Sequence, residues 1–208
     1  PQAVFTLTRH DVESALRVFV DPLSGAAVHV LSVENHSEGQ RMLEVCSYLE
    51  PSLLPHRAAA DKAPETRKLG VYGAAIQRRA AEEDETTPSL WHQLSADIPM
   101  SVFHIQTNRL AFIGRGRTIY APRELEMPLS GLADATGTMP EPCISLRGQF
   151  VLQPGSKAHL VFITGCPKLN EPPSAFLLRC DPPTSVLGWY EGPVAPADES
   201  WVVPERTL

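Results

Sequence analysis

Two arginines on a glycine-punctuated backbone, Gly114-Arg115-Gly116-Arg117, are the residues of this sequence best suited to chemistry on a ligand. Glycine opens dihedrals closed to other residues, and each guanidinium presents a planar fork of donors. The apolar run before them (Leu110, Phe112, Ile113) reads as a strand, which places the pair at a sheet edge. A polyhydroxyl ligand, a phosphate and a carboxylate on another domain all suit such a place, and residue chemistry does not choose among them. The aromatic residues Trp91, Tyr120, Trp189, Tyr190 and Trp201 add faces on which a pyranose ring can stack. Cover of one sheet face is the other role open to Trp91.

Catalytic arrangements are absent from the sequence. It contains no G-x-S-x-G elbow, no phosphate-binding glycine loop followed by Lys-Ser/Thr and no H-E-x-x-H. The seven histidines are scattered, with no two at the spacing of a local metal pair. Cys46, Cys143, Cys166 and Cys180 lie far apart without a C-x-x-C, so zinc spacing is missing. Cys143 has no identifiable base beside it and reads as a buried structural thiol. Glu82-Glu83-Asp84-Glu85 reads as a solvated acidic loop, lacking the spaced oxygens of a calcium site. No pair of carboxylates is set for glycoside hydrolysis. No catalytic residue, metal ligand or cofactor is therefore assigned.

The elements that must position the arginines are strands. Twenty prolines in 208 residues is about twice the usual share, which disfavours long helices and suits short strands and turns. Val12–Val20, Ala27–Val33 and Arg41–Leu49 read as three strands joined by short loops, expected to form an antiparallel meander. Lys68–Gln77 reads as a strand, since Gly70 and Gly73 weaken a helix. Ser101–Thr107 leads into the arginine stretch. Cys143–Leu152 and Ala158–Thr164 flank Gln153-Pro-Gly-Ser156, the signature of a type II turn, and are expected to make a hairpin. In the second of these strands both alternating sets are apolar, which implies cover on both faces. Eight of the twenty prolines fall between 167 and 208, read as a wrapping segment or linker after a domain spanning 1–166.

Hydrophobic content of 43% supports a real core, and a net charge of -6 argues against a general nucleic-acid binder. No apolar run approaches the roughly 18 residues of a membrane span. Reduced thiols and a cytoplasmic setting are the expectation, with an inner-membrane parent protein also compatible, because the sequence reads as a piece of something larger.

A set of segments in fixed order adds a resemblance. They include Arg9-His-Asp-Val-Glu-Ser-Ala-Leu-Arg17, Val33-Glu-Asn-His-Ser37, Arg41-Met-Leu-Glu-Val-Cys-Ser-Tyr-Leu-Glu50, Arg78-Arg79, Trp91-His92 and Phe112-Ile-Gly-Arg-Gly-Arg117. Pro128-Leu-Ser-Gly131, Pro142-Cys143, Ser145-Leu-Arg147, Leu152-Gln-Pro-Gly155 and Phe162-Ile-Thr-Gly165 follow. Over about residues 5–166 the chain resembles the N-terminal β-sandwich region of the cyclic β-1,2-glucan synthase and cellobiose phosphorylase family. The resemblance implies an all-β fold, a large two-sheet antiparallel super-sandwich of the galactose mutarotase-like kind. It also implies a non-catalytic domain beside an (α/α)6 barrel that holds the catalytic acid. Arg115, Arg117, Tyr120, Trp91 and Arg147 are then the candidates for carbohydrate or interdomain contact. The expected partners are that barrel, a β-glucan oligosaccharide and a second copy in a homodimer. A structural or oligomerisation module without sugar binding, and a mutarotase-like epimerase, are the rival readings.

Overall fold

The computed structural model describes residues 2–21, 24–51, 63–77 and 89–167. Eight strands form one sheet, in the order β1 (Gln2–Arg9), β2 (Val12–Val20), β3 (Ala27–Asn35), β11 (Lys157–Gly165), β7 (Ser89–Ala96), β6 (Gly73–Gln77), β5 (Glu65–Leu69) and β9 (Gly137–Thr138). Three more form a second sheet, β4 (Arg41–Leu49), β10 (Pro142–Leu152) and β8 (Val102–Asn108). Every neighbouring pair is antiparallel. The all-β, two-sheet antiparallel architecture read from the sequence is the one observed.

Strand alternation explains the core. Leu160 and Phe162 of β11 point between the sheets, where they meet Val33, Ile76, Leu94, Ile105, Ile144, Leu146 and Phe150. Val161 and Ile163 point the other way and join Phe19, Val28, Val30 and Trp91 in a second buried cluster. A strand buried on both faces needs apolar residues at consecutive positions, as β11 has. The two clusters bury aliphatic and aromatic side chains at about 1.5–3 kcal/mol each.

Four local expectations are corrected. The first concerns the meander: β2 and β3 pair, but β4 leaves for the other sheet and pairs with β10. At that departure the Asn35 side-chain amide donates to the carbonyls of Gly39 at 2.9 Å and Leu152 at 3.0 Å, tying the loop to the end of β10. The second is the expected hairpin around Gln153–Ser156. The turn itself forms, with Gly155 at φ 68° and the Ser156 amide donating to the Gln153 carbonyl at 3.1 Å. Yet β10 and β11 part into different sheets, so it is an arch between layers. Third, Lys68–Gln77 is not one strand but the β5–β6 hairpin, turning at Gly70 with φ 57°.

The fourth correction falls on the apolar run before the arginines. Arg109–Ile113 is a single helical turn, α1, not a strand. Asn108 caps it, its side-chain oxygen accepting from the Ala111 amide at 3.1 Å. Capping of this kind outweighs the weak strand preference of a five-residue run.

Candidate functional site

The arginines sit on the connection between β8 and β10. Phe112 and Ile113 of α1 are buried, and Phe112 stacks on Tyr48 of β4 with ring centroids 4.6 Å apart. That anchor leaves Gly114 to turn the chain outward at φ 86°. A Cβ at Gly114 would also lie 2.8 Å from the Arg123 Cβ, so both dihedral and space demand glycine. Gly116 follows at φ 71° in open space, a purely conformational requirement.

An open cavity of about 590 Å³ borders this loop, lined among others by Glu50, Arg109, Arg115, Arg117, Thr118 and Ile119. Arg117 pairs with Glu126 at 2.5 Å, and Arg109 pairs with Glu50 at 3.0 Å. The Tyr48 hydroxyl donates to Glu50, and with Arg109 it holds that carboxyl below its usual range. Arg115 has no ion pair among the described residues and is exposed. Tyr120 is 95% exposed. The structure thus brings Arg115, Arg117 and Tyr120 onto one projecting segment.

Trp91 and Arg147 are placed elsewhere. Trp91 is 2% exposed within the second core cluster, with no ring face open to a sugar. Arg147 is also 2% exposed, on the central strand of the smaller sheet. Its Nε and Nη2 grip both carboxylate oxygens of Glu44, while Nη1 and Nη2 donate to the carbonyls of Glu124 and Met127 at 2.5 and 2.9 Å. Arg147 therefore fastens the second half of the connection.

Sequence reading missed the polar layer around that clamp. The Glu124 carboxylate, buried beside Arg147, accepts from Gln106 at 3.0 Å and lies 3.3 Å from His104 Nε2. Asp134 accepts from the Ile105 amide at 2.8 Å and from Lys68 at 2.6 Å. Burial works against its ionisation, but these two donors outweigh that and hold the carboxyl below its usual range. The only signal in the sequence was acidic residues within an irregular stretch, indistinguishable from solvated turns.

A second cavity, also of about 590 Å³, opens between the sheets and is mainly apolar, with Leu16, Leu31, Val45 and Phe162 among its walls. His92 crosses it, one ring nitrogen 2.8 Å from Ser47 of β4 and the other 2.7 Å from Thr164 of β11. Of the histidine–carboxylate pairs, His104–Glu124 is enclosed, and His159 of β11 lies 2.8 Å from Asp97 with both side chains partly exposed. Neither borders the two cavities. Among the described residues no three His, Cys, Asp or Glu side chains are grouped to hold a metal ion. No helix among them is long and apolar enough to cross a membrane.

Two antiparallel sheets closed over a shared apolar core make this a β-sandwich domain. A family model described as the supersandwich domain of glycosyl hydrolase 94 matches residues 1–179, and the chain belongs to that family. No curated protein matches it. Among solved structures, a polysaccharide lyase is 16% identical with a TM-score of 0.48, over 85% of this chain and 23% of the other. A protein described as a kojibiose phosphorylase from the human microbiome is 12% identical with a TM-score of 0.43, over 90% and 20%. The chain thus spans about a fifth of the length of these structures.

Proposed function

We propose that this chain is a non-catalytic, carbohydrate-associated module of a larger glucan synthase or glycoside phosphorylase, packed beside a catalytic (α/α)6 barrel. In this reading the loop from Gly114 to Tyr120 borders the saccharide cleft and contacts a β-1,2-linked glucan. One observation carries it. Arg115, Arg117, Thr118 and Tyr120 share a projecting loop, three of them beside an open cavity, and the loop is anchored at both ends by buried groups. An exposed aromatic face next to guanidinium donors is what a sugar ring and its hydroxyls recruit. Family membership supports the setting.

A structural role without sugar binding is the second reading. It is favoured by the ion pairs that already occupy Arg117 and Arg109. Titration of the 208-residue chain with β-1,2-glucan oligosaccharides, followed by amide NMR, separates the two. Shifts confined to Gly114–Tyr120 at millimolar sugar support contact, and no shift at that concentration leaves the structural role.

A further inference from the structure

The cavity between the sheets has the make-up of a small-molecule pocket. Its volume of about 590 Å³ lies within the range of such sites, and a few polar groups are set into mainly apolar walls. Leu16, Leu31, Val45, Leu90 and Phe162 supply the apolar surface. The hydroxyls of Ser47 and Thr164 occupy both nitrogens of His92, and burial lowers the pKa of that ring to about 3, so it stands there uncharged. Burial also lowers the pKa of His29, which lines the same cavity. Glu50 is then the one full charge among the described lining residues.

The cavity extends past the inter-sheet layer. It touches every residue from Val45 to Pro51. Neighbouring side chains of a strand point to opposite faces. The cavity therefore follows the side of β4 from the core round to the face on which Tyr48 stacks against Phe112. Glu50, the residue after β4, also lines the cavity beside the arginine loop, and the two spaces adjoin at its carboxylate. The Tyr48 hydroxyl and Arg109 Nε both engage Glu50 Oε1, at 2.5 and 3.0 Å. Oε2 has no partner among the described residues, and the side chain is 44% exposed. A fixed, ionised acceptor thus stands where an apolar space meets one bordered by guanidinium groups.

We propose that the two spaces form one site for a glucoside with a hydrocarbon aglycone. The hydrocarbon lies along β4 between the sheets, and a sugar hydroxyl donates to Glu50 Oε2 with the ring turned towards Arg115 and Arg117. An apolar body asks for no charged partner, and the deep walls hold none; the polar end meets a carboxylate and guanidinium donors. The sugar half rests on the saccharide reading of the loop, whereas the hydrocarbon half rests on the cavity alone.

Amide NMR titration of the 208-residue chain with octyl β-glucoside, kept below its micelle-forming concentration, tests this. Methyl β-glucoside and octanol serve as the two half-ligands. Octyl β-glucoside is expected to shift amides in both Val45–Glu50 and Gly114–Arg117, and to bind at least about tenfold tighter than methyl β-glucoside. Leu31→Trp fills the cavity and is expected to weaken octyl β-glucoside about tenfold while leaving the methyl β-glucoside response in place. Glu50→Gln is expected to weaken octyl β-glucoside and leave octanol unchanged; it carries the test should Leu31→Trp fail to fold. Octyl β-glucoside no tighter than methyl β-glucoside overturns the proposal. So does octanol binding as tightly as octyl β-glucoside, or octyl β-glucoside indifferent to Glu50→Gln. In each of these cases a loop response to β-1,2-glucan oligosaccharides would leave the saccharide reading standing, so the two fail separately.

Discussion

The Arg147 guanidinium holds both oxygens of Glu44, through Nε at 2.5 Å and Nη2 at 3.1 Å, and spends its remaining donors on main-chain carbonyls of the connection. One side chain thereby joins the smaller sheet to the segment that carries the exposed arginines. The pair is a fastening device, since a guanidinium buried to this extent is stable only when its donors are met.

Removing that guanidinium should therefore loosen the whole connection. Arg147→Met is expected to cost about 3 kcal/mol in urea unfolding, the low end for a broken buried pair because Glu44 is partly open to water. Arg147→Met with Glu44→Leu should recover part of the loss. A double variant no more stable than the single one would contradict the account.

The two loop glycines should respond differently. Gly114→Ala meets both a left-handed dihedral and the Arg123 side chain, and a cost of about 2–3 kcal/mol is expected. Gly116→Ala meets only the dihedral and should cost about 1 kcal/mol. Thermal unfolding of the two variants side by side checks the order.

Acid stability should carry the mark of His92. Burial lowers its pKa from the usual 6.5 to about 3, with the charge of His29 acting in the same direction and a backbone hydrogen bond at Ile163 opposing. The unfolded chain takes up that proton near pH 6.5 and the folded one does not until about 3. Between those values the unfolded state binds more protons, so stability falls as pH drops, by up to about 1.4 kcal/mol per pH unit. His92→Gln should flatten the slope between pH 6.5 and 5, above the range where carboxylates titrate. An unchanged slope would place the imidazole in a wetter environment than the structure shows.

Thiol chemistry offers a simpler check. Burial, aided by the nearby Glu124 and Glu50 charges, pushes the Cys143 thiol up to about 12, whereas Cys166 is exposed. Alkylation of the native protein at pH 8 should modify Cys166 readily and Cys143 only on unfolding, as read by peptide mass.

Arg115→Ala should change stability by no more than about 0.5 kcal/mol, because the side chain is exposed and unpaired among the described residues. Under the saccharide reading it should nevertheless abolish the response to β-1,2-glucan. Retention of that response would move recognition away from this loop.

The strands were legible because apolar alternation and turn chemistry are local. Val12–Val20 and Arg41–Leu49 carry their boundaries in the sequence, and the double-sided burial of β11 followed from consecutive apolar residues. Pairing was less legible. Nothing local reveals that Asn35 bonds the Leu152 carbonyl, a contact spanning 117 positions that accompanies the passage of β4 into the other sheet. The helical turn at Arg109–Ile113 was hidden because Asn108, its cap, follows directly on a strand and its apolar residues suit either form. Of the candidate site residues, the exposed loop members were recognisable by glycine-arginine spacing. Trp91 and Arg147 show the limit, since residue type alone does not separate a buried anchor from a surface contact. The proline-rich stretch from 168 onward, Trp189, Tyr190, Trp201 and the acidic run at 82–85 lie outside the described residues.

The smaller sheet has a kinetic consequence. No two of its paired strands are joined by a tight loop, and the shortest link, from Asn108 to Pro142, is the connection that carries the arginines. Closing such links costs chain entropy before any ladder bond repays it. Local hairpins such as β1–β2 and β5–β6 can form early, but the platform under the arginine loop has to wait for distant segments to meet. Refolding followed at Tyr48 and Phe112 is therefore expected to lag behind the appearance of hairpin structure.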